Sequence, residues 1–282
     1  SKKDPLDFVL WKSAKPNEPS WDSPWGFGRP GWHIECSVMS LENLGKHFDI
    51  HGGGPDLLFP HHENEIAQSE CASDHKFANY WMHSGLLKIN GEKMSKSLGN
   101  FAMLKDLFAS YHPEVIRYYL ISSHYRSSLN FDNESLDQAR SALTRLYQAI
   151  SVAPSQESDL HDDSVKEFIH SMNDDLNTPE ALSTLFGLAK LINSSQDAQD
   201  QSMYASTMKE LGKVLGLLND SSEAFLQYGA KLTDEEISKK IDERNQARDN
   251  KDFQKADQIR DELAAQGILL DDSSDGTSWK KS

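Results

Sequence analysis

The chain has 282 residues, 37% of them hydrophobic, which is enough for one large or two moderate domains with real cores. Its formal net charge of −15 argues against a general nucleic-acid binder, although a specific RNA partner can still use a local basic patch on an acidic body. There is no apolar run of about eighteen residues, no signal-peptide pattern at the start and only two cysteines, Cys36 and Cys71. A transmembrane helix is therefore excluded, no disulfide framework is implied, and a cytoplasmic location with no membrane partner is expected.

In chain order, residues 1–130 are rich in Gly, Pro, Trp and His, with short apolar runs between glycine turns. Phe48-Asp49-Ile50 running into Gly52-Gly53-Gly54 reads as a buried strand ending in a loop. The stretch from His61 to Ser73 has helical spacing, with Ile66, Ala67 and Cys71 on its inner side. Tyr80 to Ile89 reads as one strand closed by Asn90-Gly91, a tight-turn signal. Pro113 opens a helix through Ser122. Strand and helix patterns in alternation predict an α/β domain.

Beyond Asn133 the pattern is helical. Leu136, Ala139, Leu143, Leu146, Tyr147 and Ile150 mark one amphipathic face. Thr178-Pro179 opens a second helix through Ile192, and Met203 to Leu218 gives a third. Thr233 caps a charged helix, another follows near Phe253 to Ala265, and the segment from Gly267 to Trp279 reads as a small hairpin. The fold class expected is α/β followed by all-α, with domains at 1–130, 131–228 and 229–282.

Two clusters carry chemistry. His61 and Glu65 are four apart on a predicted helix and so share a face, while Cys36 would have to arrive from a neighbouring strand or loop. Sulfur, imidazole and carboxylate together suit Zn²⁺ with an open position. On spacing alone, however, a core cysteine and a surface His/Glu pair are the favoured reading, because Cys followed by His-x-x-x-Glu is a weak pattern. A zinc-protease reading of His62-Glu63 fails because position 66 is Ile. The second cluster is Lys93-Met94-Ser95-Lys96-Ser97-Leu98-Gly99-Asn100, where two lysines and two serines offer donors to an oligophosphate.

That lysine-serine string resembles the signature loop of class I aminoacyl-tRNA synthetases at every position. Gly31-Trp32-His33-Ile34-Glu35-Cys36 is similar to a zinc segment of the cysteinyl-tRNA synthetase family. His51-Gly52-Gly53-Gly54 through His61-His62-Glu63-Asn64-Glu65 resembles that family's glycine loop and second zinc segment. The resemblance continues to Gly276-Thr277-Ser278-Trp279 and covers essentially the whole chain. It implies the C-terminal half of a class I Rossmann-like catalytic domain, a helical bundle and a small anticodon-binding subdomain.

The resemblance also implies one Zn²⁺ per subunit on Cys36, His61 and Glu65, with a fourth ligand from an N-terminal segment of the same protein. Trp32 and His51 line the amino-acid pocket, Lys96 contacts ATP (taken with Mg²⁺) and Lys93 assists. Arg248, Phe253, Asp257 and Arg260 match positions that read anticodon bases, Phe253 standing where the family more often has Trp. The implied substrates and partners are L-cysteine, ATP and tRNA(Cys), joined through cysteinyl-adenylate. The family's His-Ile-Gly-His element has no match here, so the 282 residues alone are expected to bind zinc poorly and not to activate cysteine. Two rival readings are a cysteine–aminosugar ligase of thiol biosynthesis, which lacks the anticodon tail, and a non-catalytic tRNA-binding fragment.

Overall fold

The computed structural model describes residues 2–89, 91–93, 103–154, 158–230, 232–273 and 276–281, with Lys93 and Ser273 described in their backbone alone. The chain forms two compact units, residues 1–86 with 125–128, and residues 87–124 with 129–282.

In the first unit, β1 (Trp11–Ser13) pairs antiparallel with β2 (Gly28–Pro30). Helix α1 (Trp32–Leu44) follows at once and ends at Gly45, whose φ of 88° suits glycine. Cys36 therefore sits on a helix, not on the strand or loop that the sequence suggests. The helical stripe Ile34, Ser37, Val38, Leu41 was legible, but the glycine run before it masks the signal. Strand β3 (Phe48–Gly53) pairs parallel with β4 (Ala78–His83), and the crossover between them carries α2 (Glu63–Ser73), giving a βαβ unit. Ahead of α2, a wide turn over Leu58–His62 is broken at Phe59, whose φ and ψ are −134° and 133°. The inner side of α2 also differs from expectation. Ala67 and Cys71 are exposed, and the contact with α1 is polar: Gln68 Nε2 and Ser69 Oγ donate to Ser37 Oγ at 2.5 and 2.7 Å.

The single strand expected from Tyr80 to Ile89 is two strands in different sheets, β4 and β5 (Leu87–Ile89). The break falls near Gly85, whose N–H donates to the Tyr125 carbonyl at 2.7 Å. A Cβ there would lie 2.0 Å from the Ser127 carbonyl oxygen, so only glycine permits this approach.

In the second unit, β5 is flanked by β6 (Glu92–Lys93), antiparallel, and β7 (Leu129–Phe131), parallel. The helices are α3 (Leu104–Leu107), α4 (Pro113–Ile121), α5 (Asn133–Val152), α6 (Asp162–Asn173), α7 (Thr178–Ser194), α8 (Ala198–Val214) and α9 (Ser222–Gln227). Asp132, Asn177, Asp197 and Ser221 cap α5, α7, α8 and α9 by accepting backbone N–H bonds. The stripe read on α5 is buried, and Leu136, Leu143 and Leu146 meet Leu185, Leu188 and Ile192 of α7 in one core. Among the described residues of this unit, α3, α6 and α9 add to the helices that periodicity predicts, and α8 begins at Asp197's cap rather than at Met203.

Helix α10 (Asp234–Asp249) opens with a capping box between Thr233 and Glu236. It packs with α11 (Phe253–Ala265) and the hairpin β8 (Ile268–Ser273) and β9 (Gly276–Lys281) over a second small core of Ile237, Ile241, Ile259, Leu263 and Ile268.

Candidate functional site

Cys36 projects from the second turn of α1, His61 from the turn ahead of α2 and Glu65 from the first turn of α2. Their ligand atoms lie within 4.8 Å of one another. Glu65 is fully buried, with His61 Nε2 2.5 Å from one carboxylate oxygen and His51 Nε2 3.0 Å from the other. Neither oxygen gains a hydrogen bond of proper alignment. A thiol, an imidazole and a fully buried carboxylate, met by imidazole nitrogens but by no well-aligned hydrogen bond, form a donor set that fits a soft divalent cation, whose charge would offset the cost of burying the anion. His51 comes from β3, so strand and helices converge on one point.

Burial raises the Glu65 carboxyl, but His51, His61 and His62 outweigh it and hold the group below its ordinary range. Burial, with help from Glu65, pushes the Cys36 thiol up. Without a cation, this geometry therefore favours a thiol at residue 36 rather than a thiolate.

Trp32 stacks on the His61 ring, centroids 4.3 Å apart and planes at 18°, yet it is 58% exposed. It is therefore not a core residue. Sequence reasoning missed the other histidines around the cluster. His33 Nδ1 lies 2.8 Å from His61 Nδ1, and His62 Nδ1 lies 2.9 Å from His83 Nε2. Burial lowers the pKa of both His33 and His62. A Cβ on Gly53 would lie 2.8 Å from the His62 ring, which accounts for a glycine at the end of β3. The only signal for these residues in the sequence was the local density of histidine.

Of the lysine loop, the described residues include only the backbone of Lys93, on β6, paired with Lys88 of β5. Lys96 lies outside the described residues.

At the other candidate site, Arg248 is in the last turn of α10 and Phe253 opens α11. Phe253 is 63% exposed. Asp257 and Arg260 share its face of α11 and stand 3.4 Å apart, beside the stripe of buried Ala256, Ile259 and Leu263. Arg248 Nη1 donates to Asp272 Oδ2 at 3.0 Å. Asp272 also receives both amino groups of the buried Arg244, at 2.9 and 2.7 Å, and the Thr277 hydroxyl at 2.7 Å. The Arg244 guanidinium and the Thr277 hydroxyl hold the Asp272 carboxyl far below the usual carboxylate range. Neither Arg244 nor Asp272 stood out in the sequence, since a lone Asp in a hairpin and an Arg on a charged helix have no periodic signature.

Comparison with known proteins gives the fold a family. Residues 1–141 match the model of the class I (C) tRNA synthetase catalytic domain, and residues 167–219 match the DALR domain. The cysteine–tRNA ligase of Azotobacter vinelandii is 55% identical over 99% of this chain, and that of Hydrogenovibrio crunogenus 54% over 99%. The alignments take in 62% and 61% of those relatives, so the chain spans about three-fifths of their length. The LeuRS of Agrobacterium radiobacter, solved in a ternary complex with tRNA and LeuAMS, shares the fold at a TM-score of 0.53 and 13% identity, over 73% of this chain and 33% of its own. The α/β half with its lysine-serine string, the helices after it and a catalytic-domain match over half of the residues lead to one assignment: the chain belongs to the class I tRNA synthetases that carry the (C) catalytic domain.

Proposed function

We propose that this chain is part of an enzyme that activates L-cysteine with ATP and transfers it from cysteinyl-adenylate to tRNA(Cys). The observation that carries the proposal is the convergence of Cys36, His61 and Glu65 within 4.8 Å, beside the exposed indole of Trp32 and the imidazole of His51. Curated relatives at 55% and 54% identity are named cysteine–tRNA ligases, and they support the same substrate.

In this reading Cys36, His61 and Glu65 hold one Zn²⁺, with a fourth ligand from a segment outside these 282 residues. When bound, the ion supplies a soft acceptor for the substrate's sulfur, which a serine hydroxyl would match poorly. Glu65 gives its buried oxygens to the site, and His51 keeps one of them oriented. Trp32 walls the pocket and limits the size of the amino acid, while His51 offers a polar contact beside it. Selection by sulfur rather than by a methyl-sized cavity makes a separate editing site unnecessary. Lys96 stabilises charge on the leaving pyrophosphate of MgATP and Lys93 assists. Arg248, Phe253, Asp257 and Arg260 read unpaired anticodon bases, the aromatic by stacking and the charged groups at base edges. The division of labour follows domains 1–130, 131–228 and 229–282, and the reaction takes place in the cytoplasm.

The test is cysteine-dependent ATP–pyrophosphate exchange by the polypeptide extended to the length of its relatives. Exchange is expected with cysteine and not with serine, and it should fall on replacing Glu65 with Gln. Equal exchange with serine would overturn the proposal.

A further inference from the structure

We infer that Arg244 is a positioning residue for RNA reading, fixing the guanidinium of Arg248 through the carboxylate of Asp272 that the two share. The inference rests on the anticodon-reading role proposed above for Arg248.

The geometry is a chain of three charged groups. Arg244 is buried at 7% exposure, and its two amino groups grip both oxygens of Asp272 in the bidentate arrangement that only arginine can make. Oδ1 takes the Thr277 hydroxyl as well, and Oδ2 takes Arg248 Nη1. The carboxylate plane is therefore set by Arg244 and Thr277, and Arg248 docks on what remains of it. Arg248 itself is half-exposed, and its Nε and Nη2 make no hydrogen bond among the described residues. One amino group is tethered and the rest of the fork is left for a partner.

Stability alone is a poor reason for this arrangement. Burying the Arg244 guanidinium carries a desolvation cost that its pair with the part-exposed Asp272 only offsets, and an apolar side chain of similar volume at position 244 would do as well or better. Position 244 is one turn from Ile241, whose apolar cluster an aliphatic residue could join. A free arginine on a helix end samples many rotamers, and that freedom is lost when it binds a base. Tethering it beforehand lowers that loss, which is the logic of preorganisation. Asp257, on the face shared with Phe253 and Arg260, adds its charge to the field around Arg244, so the exposed readers and the buried arginine belong to one electrostatic group.

The experiment measures binding of this 282-residue chain to two transcripts by fluorescence anisotropy. One is tRNA(Cys); the other is the same transcript with its three anticodon bases replaced. The unaltered chain is expected to prefer the first. Arg244→Lys keeps the charge but not the fork, and it should cut that preference by about tenfold. Arg248→Ala should cut it similarly, and adding Arg244→Lys to Arg248→Ala should cost no more. A purely structural role for Arg244 would weaken both transcripts alike, and the loss would persist in the Arg248→Ala background. Either result overturns the inference, as does an unchanged preference in a folded Arg244→Lys protein. If circular dichroism shows that variant unfolded, Asp272→Asn is judged by the same criteria. No preference in the unaltered chain would instead remove the RNA-reading role itself, and this inference with it.

Discussion

The hydroxyl of Tyr147 donates to the carboxylate of Glu114 at 2.8 Å inside the helical core, and both residues are buried. The same carboxylate accepts the backbone N–H groups of Leu218 and Asn219, each at 2.9 Å, so it ties α4 and α5 to the chain leaving α8. Glu114→Ala would leave these donors unsatisfied in an apolar surround. It is expected to lower stability by about 3 kcal/mol, read from urea unfolding. A loss below about 1 kcal/mol would show that water replaces the carboxylate there.

Gly85 predicts a second effect on stability. Any side chain there meets the Ser127 carbonyl oxygen at 2.0 Å, and backbone cannot give way as a flexible side chain can. Gly85→Ala is expected to cost about 2 kcal/mol, whereas the same change at Gly187, with nothing within 4 Å, should be neutral or stabilising. Equal melting temperatures for the two variants would contradict this.

Acid sensitivity should localise to the hairpin. The Asp272 carboxyl is held below its ordinary value, first by Arg244 and then by Thr277. A depressed carboxylate contributes stability that is complete above the unfolded value of about 4 and is lost as pH falls below it. The stability difference between the unaltered chain and Asp272→Asn should thus be constant from pH 7 to about pH 5 and shrink below about pH 4. A difference that does not change across that range would show that Arg244 contributes nothing through charge.

For the metal, the extended polypeptide should retain about one zinc per chain after dialysis, and Cys36→Ser should weaken it by at least about 100-fold in chelator competition, more than an outer-sphere change. Serine keeps the volume but offers a harder, more basic donor. Affinity that survives the change would remove residue 36 from the ligand set.

Phe253 offers a gain rather than a loss. Its ring is 63% exposed at the start of α11, a platform with nothing stacked upon it among the described residues. Phe253→Trp should tighten tRNA binding and Phe253→Ala weaken it, the latter by about tenfold, given about 1–3 kcal/mol per stacked base. Identical affinities for all three would exclude stacking.

The helical half was the more legible in the sequence, because α5 and α7 bury one face and that pattern shows at a period of 3.6. Of the caps, Thr233 was read where it stands, whereas the α7 cap is Asn177 rather than Thr178 and the Asp197 cap of α8 was passed over within a polar stretch. The α/β half was harder to read. Its short strands are interrupted by close backbone approaches such as Gly85, and α2 turns polar residues toward α1. Cys36, His61 and Glu65 were found through motif resemblance, since nothing in their spacing says that α1 and α2 lie side by side. Asp272 and Arg244 could not be paired from sequence, because their contact depends on how the hairpin returns onto α10.

That polar seam between α1 and α2 sets the tolerance of the thiol–imidazole–carboxylate cluster. Helices that meet through methyl groups can shift along one another at little cost, whereas a hydroxyl held by an amide and a second hydroxyl permits one register only. Exchanging Ser37, Gln68 and Ser69 for alanine is expected to loosen the register that brings the three donor atoms together and so to cost more in zinc affinity than in melting temperature.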